Sequence, residues 1–296
     1  MYELIQVSEN TYYVECPSKI GIVKLNDTEV CLIDSGSDKD AGRRVLKILN
    51  SNGWKLKSIY NTHSHADHIG ANKYLEEQTG CKIYAPGAEC CFTKHTLFES
   101  AFLYGGYPFD ALRGKFLLAK ESHALPLAKE NLEDGFEIIN LPGHFFDMVG
   151  YKTPDGIVFL ADALCSRVTL DKYKIGFIYD VKAYLETLES IKNLSAKLFI
   201  PSHAEPAENI SQLADYNIEC VSAIKERILA ILSTPRCFEE ILKLIFYGYG
   251  LTLTCEQYVL VGSTLRSYLS WLKDSGVVDV KIENNMLLWE KTDGNN

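Results

Sequence analysis

Short apolar runs separated by turn-forming residues make up the opening part of the chain. The segments TYYVE, IGIVKL and EVCLIDSG are rich in β-branched and aromatic residues, and Asn26-Asp27 separates the last two. This pattern predicts a sheet of short, meandering strands. In the next segment, DKDAGRRVLKILNSNG, helical spacing of apolar residues and a terminal Gly53 predict a helix. Its apolar positions are Ala41, Val45, Leu46 and Leu49.

The same order of elements recurs over residues 57–87. The segment KSIYNTHSHADHIGANKYLEEQTGCKIYAPG predicts a strand, a polar loop, a helix through Leu75 and a strand ending at Pro86-Gly87. Its histidines therefore fall on a loop after a strand. Side chains on such loops are well placed for function, because the strands hold the loop in position and leave it accessible.

Residues from about 90 to 130 depart from this pattern. The stretch FESAFLYGGYPFDALRGKF is rich in aromatic residues and glycine and fits neither a clean strand nor one long helix. We interpret it as an insertion that either overhangs a site as a lid or packs as a surface excursion or oligomer contact. As a lid it would bring an apolar wall to the site, formed by Tyr104, Tyr107, Phe109 and Phe116.

Three later apolar runs each predict a strand that ends in a histidine or aspartate. They are FEIINLPGH, GIVFLADAL and KLFIPSHAEP, and the helical pattern VKAYLETLESIKNL precedes the third. From about residue 208 the pattern becomes helical, and a predicted β-hairpin with Asn284-Asn285 as its turn closes the chain. We therefore predict a catalytic domain over 1–207 and a helical, winged-helix-like region over 208–296.

Composition narrows the classes of protein that the chain can represent. Its 296 residues are 47% hydrophobic and 23% charged, which is typical of a folded globular protein. The net charge of −9 disfavours general binding to nucleic acid or to anionic membranes. The start MYELIQVSENTYYVE lacks the order of a signal peptide, so we expect a cytoplasmic protein with no membrane association. The nine cysteines contain no CxxC pair and predict reduced core residues.

Seven ligand-type side chains carry the candidate chemistry. Four of them lie within six residues, and the other three end the predicted later strands; together they include five of the seven histidines of the chain. Imidazole and carboxylate groups in this arrangement suit zinc, iron or manganese. The predicted ligands are His63, His65, Asp67, His68, His144, Asp162 and His203.

These ligands, together with Asp34, follow a known five-part pattern. Over about residues 10–205 the chain resembles the metallo-β-lactamase superfamily, which implies an α/β fold, specifically an αββα sandwich. The resemblance assigns one metal to His63, His65 and His144 and a second metal to Asp67, His68 and His203. It implies that Asp162 bridges the two metals and that Asp34 supports the site. The chain departs from the common sequence pattern of the family in two places. The segment PGH is followed by FFDMVG instead of a small polar run, and Ala161 stands where glycine is usual.

The resemblance implies two divalent cations, with zinc as the expected ion and iron or manganese as alternatives. Two cations about 3.5–4 Å apart lower the pKa of a bridging water and hold it as hydroxide, which can attack a substrate. We expect Asp67 to orient this hydroxide and His203 to act with it at the second metal. Because position 65 is histidine, the site resembles the hydrolases of the family more than its diiron branch.

The sequence is compatible with three functions. The first is hydrolysis of a small-molecule ester, thioester or lactone, similar to glyoxalase II. The second is a metal-dependent endoribonuclease or phosphodiesterase, whose helical end region the tail resembles. Residues 237–296 carry five basic and eight acidic side chains, however, which disfavours nucleic acid and favours a structural or homodimer-forming role. The third is a mononuclear iron protein resembling persulfide dioxygenases.

Overall fold

The structure, a computed structural model, describes residues 2–292 and contains two large β-sheets. The first sheet has seven strands in chain order, antiparallel from β1 to β4 and parallel from β4 to β7. Its strands are β1 (Glu3–Gln6), β2 (Thr11–Glu15), β3 (Ile20–Lys24), β4 (Glu29–Ile33), β5 (Lys55–Tyr60), β6 (Lys82–Ala85) and β7 (Ala124–Pro126). The second sheet has the order β11-β10-β9-β8. Its strands are β8 (Glu137–Asn140), β9 (Val149–Lys152), β10 (Ile157–Cys165) and β11 (Leu198–His203).

Ten α-helices accompany the sheets within the described residues. The first five are α1 (Lys39–Ser51), α2 (Ala66–Ile69), α3 (Asn72–Thr79), α4 (Glu89–Lys94) and α5 (Leu97–Tyr104). The others are α6 (Arg167–Tyr173), α7 (Val181–Ile191), α8 (Ser211–Ile231), α9 (Phe238–Tyr249) and α10 (Cys255–Asp274). A two-stranded hairpin of β12 (Val278–Glu283) and β13 (Met286–Lys291) follows them.

Three buried apolar clusters show how the layers pack. Alternate residues of a strand face opposite sides of its sheet, and in β3 Ile22 packs toward α1 while Val23 packs toward the second sheet. The cluster between the sheets joins Val23 to residues such as Phe159 of β10. On the outer face of the second sheet, Leu160 shares a cluster with helices α7 to α10. The molecule is therefore an αββα sandwich with a helical C-terminal region, as the sequence predicts.

Helix α1 has the boundaries that its sequence indicates. Asp38 caps it by accepting hydrogen bonds from the backbone N–H groups of Asp40 and Ala41. Ala41, Val45 and Leu49 are buried, and the helix ends at Ser51, two residues before the left-handed Gly53 (φ 72°).

The insertion forms two short α-helices, a 3-10 helix and a strand, and it joins the core. It contains α4 and α5, a 3-10 helix over Asp110–Arg113, and strand β7, which extends the first sheet. Leu103, Leu112 and Leu117 are buried together with Val259 of α10. The segment therefore packs against the C-terminal region.

The closing elements follow the predicted order of helices and hairpin. Asn284 and Asn285 have φ values of 51° and 61°, as the tight hairpin turn requires, and Glu283 pairs with Met286 across it. A winged-helix relationship stays a prediction. No helix among residues 2–292 is long and apolar enough to cross a membrane. Cys91 and Cys255 are exposed, so the prediction of core cysteines is wrong for these two.

Candidate metal centre

The loop after β5 presents four of the predicted ligands. His65 has an extended backbone (φ −57°, ψ 144°) directly before α2, and His63 lies two residues earlier. Asp67 and His68 follow in the single turn of α2. An extended segment that turns into a helix can therefore aim the first pair at one point and the second pair at another. His63 and His68 are completely buried.

The other three ligands arrive from the second sheet. His144 lies in the turn between β8 and β9, and His203 is the last residue of β11. The sequence pattern predicts Asp162 at the end of a strand, but β10 continues to Cys165, so that expectation is wrong. The pairing of β10 with β11 is irregular around Ala161, which has a left-handed φ of 49°, but it resumes where Cys165 pairs with His203, so the strand runs past Asp162. This irregularity turns Asp162 toward the site within the strand.

The seven side chains form two neighbouring sets. His63, His65, His144 and Asp162 form one, and Asp67, His68 and His203 form the other, with candidate ligand atoms in each set within 4.8 Å of one another. His65 Nδ1 lies 3.2 Å from His144 Nε2 in the first set. In the second, Asp67 Oδ2 lies 3.2 Å from His203 Nε2.

Asp162 belongs to the first set and also reaches the second. Its Oδ2 is 3.5 Å from His144 Nε2 and 3.3 Å from His203 Nε2, and its Oδ1 is 3.1 Å from His68 Nε2. One carboxylate therefore contacts a histidine of the first set and two histidines of the second. This is the position that a carboxylate shared by two cations would occupy.

The donor atoms fit divalent cations. His63 Nε2 is buried and has no hydrogen-bond partner among residues 2–292, although buried polar atoms normally have one. Burial lowers the pKa of His65 to about 3 and also lowers the pKa values of His63 and His144. Neutral imidazoles are the form that binds metal.

Asp34 supports the second set. Its Oδ2 lies 2.8 Å from His68 Nδ1 and accepts a hydrogen bond from the hydroxyl of Thr62. This contact leaves His68 Nε2 to face the site. Burial lowers the pKa of His68, but the nearby Asp162 and Asp67 carboxylates outweigh it and hold that pKa well above its usual range.

Aromatic side chains border the first set. The ring centroids of Phe145 and Phe177 lie 4.5 and 5.2 Å from that of His65, and Phe177 also lies 5.6 Å from His144. Phe145 lies in the segment PGHFFDMVG, where the chain departs from the family pattern. This departure is the feature of the sequence that points to aromatic residues beside the ligands. The residues proposed for it from sequence, Tyr104, Tyr107, Phe109 and Phe116, are exposed to solvent.

Two buried glutamates beside the ligands are absent from the set predicted from sequence. Glu89 accepts a hydrogen bond from the Ser64 hydroxyl, and Glu99 Oε1 lies 3.6 Å from His65 Nε2. Burial raises the pKa of Glu89 to about 7 and raises the pKa of Glu99 well above its usual range. Nothing in the local pattern identifies them, because glutamates in a helical stretch are ordinarily solvated.

A large cavity of about 940 Å³ lies next to the aromatic wall. It is lined by Phe102 and Tyr179, whose rings contact Phe146, and by Trp271 of α10. Its lining carries two basic side chains, Lys182 and Arg266, and two acidic ones, Asp180 and Asp274. The seven predicted ligands are not part of this lining.

Comparison with known proteins identifies similar sequences. The family model described as "Metallo-beta-lactamase superfamily" matches residues 13–203. A hydroxyacylglutathione hydrolase of Erythrobacter litoralis is 44% identical over 216 residues, covering 66% of this chain and 72% of that protein. The hydroxyacylglutathione hydrolase of Haemophilus influenzae is 27% identical over 47% of this chain, and the chain spans 63% of its length.

Two solved structures have a similar fold over nearly the whole chain. A beta-lactamase domain protein from Burkholderia ambifaria superposes with a TM-score of 0.75 and 14% identity, covering 98% of this chain and 94% of that one. A metallo-beta-lactamase family protein from Thermus thermophilus gives a TM-score of 0.70 and 18% identity, covering 99% and 98%. At these identities the likeness concerns the fold alone.

Proposed function

Because the chain belongs to the metallo-β-lactamase superfamily, we propose that it is a dinuclear metal-dependent hydrolase that cleaves a thioester or a related ester. The observation that carries the proposal is the pair of ligand sets, with Asp162 contacting histidines of both. The names of the relatives support the thioester, since hydroxyacylglutathione is one.

Different residues of the chain would bind the metals and orient the water in such a reaction. Two divalent cations, with zinc the expected ion, would supply Lewis acidity and a water of lowered pKa between them. His63, His65 and His144 would hold one cation, Asp67, His68 and His203 the other, and Asp162 would touch both. The Asp67 side chain is 42% exposed, so it can accept a hydrogen bond from the attacking water and orient it.

The surroundings of the first set suit an acyl substrate. Phe177 is partly exposed and places apolar surface against His65, where an acyl chain would lie beside the reacting carbonyl. Phe145 packs against the same ring but is completely buried, so it supports His65 from the core. The C-terminal region argues against the ribonuclease alternative, because residues 237–296 have more acidic than basic side chains.

The test is a substrate panel on metal-loaded protein, with metal content measured on the same samples. Thioesters, lactones, phosphodiesters and single-stranded RNA form the panel. We expect two metals per chain and turnover of thioesters. His123→Ala is the matched control, because His123 is an exposed histidine that contacts Glu76 outside the ligand sets, and it should retain full activity.

Other outcomes would replace the proposal. One iron per chain together with oxygen-dependent oxidation of a persulfide would favour the dioxygenase. Cleavage of RNA without cleavage of thioesters would favour the nuclease.

A further inference from the structure

Glu89, the first residue of α4, is completely buried beneath the ligand loop. Its Oε2 accepts hydrogen bonds from the backbone N–H of Ser64 at 3.0 Å and from the Ser64 hydroxyl at 2.6 Å. Ser64 is the residue between His63 and His65. Glu89 therefore holds the backbone at the point from which two ligands of the first set project.

The other carboxylate oxygen of Glu89 holds the second ligand-bearing loop. Its Oε1 accepts a hydrogen bond from the backbone N–H of Asp147 at 3.0 Å, three residues after His144. A second hydrogen bond links the same two segments, because the Asp147 carboxylate accepts one from the backbone N–H of Ala88 at 2.7 Å. Gly87 leaves room for this approach, since a Cβ there would lie 2.1 Å from Asp147 Oδ2.

A second buried glutamate of the insertion faces the same set. Glu99 Oε1 lies 3.6 Å from His65 Nε2, while the other ring nitrogen, Nδ1, faces His144. This distance is too long for a hydrogen bond, so Glu99 places a carboxyl group behind the ring without a bond that fixes it. The first two helices of the insertion thus place carboxylates against the three-histidine set from outside.

We propose that Glu89 is a positioning residue that joins the His63–His65 loop to the His144 loop and holds the three histidines at the spacing that a metal requires. Among the described residues, all three of its hydrogen bonds go to these two loops. Burying a carboxylate is costly unless donors satisfy it, and here the donors belong to the ligand loops. The proposal rests on the metal site of the proposed function and is independent of the substrate.

The test compares metal affinity in Glu89→Gln and Glu89→Ala with that of the parent protein. The glutamine keeps the shape but turns one acceptor into a donor, so it loses either the Asp147 contact or the two Ser64 contacts, whereas alanine loses all three. Loss of such a supporting contact lowers metal affinity by roughly 10–100-fold. We expect this loss for one of the two metals, measured by chelator competition, with glutamine milder than alanine. The visible spectrum of the Co²⁺-loaded protein should change with it.

A matched control separates positioning from general stability. Asp155 also accepts a backbone N–H, from Asn10 at 2.8 Å, and the hydroxyl of Thr11, but it contacts no ligand loop in these hydrogen bonds. Asp155→Asn should keep the parent affinity for both metals. Thermal unfolding of the metal-free proteins shows whether each variant is folded.

Two further variants localise the effect. In a His203→Ala background only the three-histidine set is intact. Adding Glu89→Gln to this background should lower the affinity for the one metal ion that remains. Ser64→Ala removes the 2.6 Å contact alone and should weaken binding in the same direction, which decides the matter should the Glu89 variants fail to fold. Unchanged affinity in Glu89→Gln or Ser64→Ala, or equal loss of both metals, would overturn the proposal. Parent protein that binds two metals but cleaves no thioester would overturn the proposed function alone.

Discussion

At the scale of single residues, Asp162 has the most demanding position in the candidate site. It contacts histidines of both ligand sets, and the neighbouring Ala161 adopts a φ of 49° that brings it there. A side chain in the left-handed region costs about 1–2 kcal/mol, which is why glycine suits position 161 better. The chain accepts this strain where the bend in β10 turns a carboxylate into the site.

Replacing Asp162 should be more damaging than replacing a ligand of one set. We expect Asp162→Ala to lower the hydrolytic rate by several orders of magnitude. Water activated by the metals lowers the activation free energy by several kcal/mol, and this contribution is lost when the shared carboxylate is removed. His203→Ala should retain weak activity with one metal bound. Steady-state rates and metal content, measured on the same samples, test this. Near-normal turnover of Asp162→Ala with two metals bound would mean that Asp162 is not the bridge.

At the scale of elements, the turn between β8 and β9 is fastened to the start of α7. The Gly143 carbonyl accepts hydrogen bonds from the backbone N–H groups of Tyr179 and Asp180, both at 2.9 Å. Gly143 has a φ of 114°, and a Cβ there would lie 2.2 Å from the backbone nitrogen of Tyr184. Its lack of a side chain therefore lets the backbone that carries His144 rest directly on the helix.

Gly143→Ala should separate the His144 turn from α7. Backbone strain and overpacking each cost about 1–3 kcal/mol, so we expect the free energy of unfolding to fall by about 3 kcal/mol or more and metal binding to weaken. Urea unfolding and metal analysis measure the two effects. Gly105→Ala is the control, because Gly105 also has a positive φ (79°) but has open space around its Cβ position. Equal losses in the two variants would show that contact with α7 is unimportant.

At the scale of the whole molecule, the C-terminal region shares its core with the sandwich. Leu160 of β10 and Phe199 of β11 lie in one buried cluster with Ile224, Leu265 and Tyr268 of the last helices. We therefore propose that residue 207 marks a change of architecture within one folding unit. The likeness of two solved structures to almost the full chain accords with this view.

A chain that ends at residue 207 should fail to fold on its own. Removing 208–296 would expose the outer apolar face of the second sheet, and large exposed apolar patches favour aggregation. We expect an insoluble product or one without cooperative thermal unfolding. A chain ending at residue 292 keeps the shared core and should unfold like the full chain. A monomeric 1–207 fragment with a sharp unfolding transition would establish an independent domain.

Much of the fold and the ligand set follows from the sequence. Apolar periodicity records which face of an element is buried, so it predicts α1 and the strands before the ligands. The Asn284-Asn285 turn follows from local chemistry, because both residues tolerate positive φ. The seven ligands are recognisable because four of them cluster within six residues and the other three follow or lie within apolar runs, and the structure brings them together in two sets.

Tertiary structure decided what surrounds those ligands. Glu89 of α4 and Phe177 of the loop between α6 and α7 approach the site from segments outside the ligand motifs, and periodicity carries no information about which segments meet across a core. The orientation of Asp162 depends on the irregular pairing of β10 with β11, two strands that are separated by α6 and α7 in the sequence. The sequence by itself thus determined the candidate ligands and the layers that present them. Packing between distant elements determined how those ligands are held and what a substrate would meet beside them.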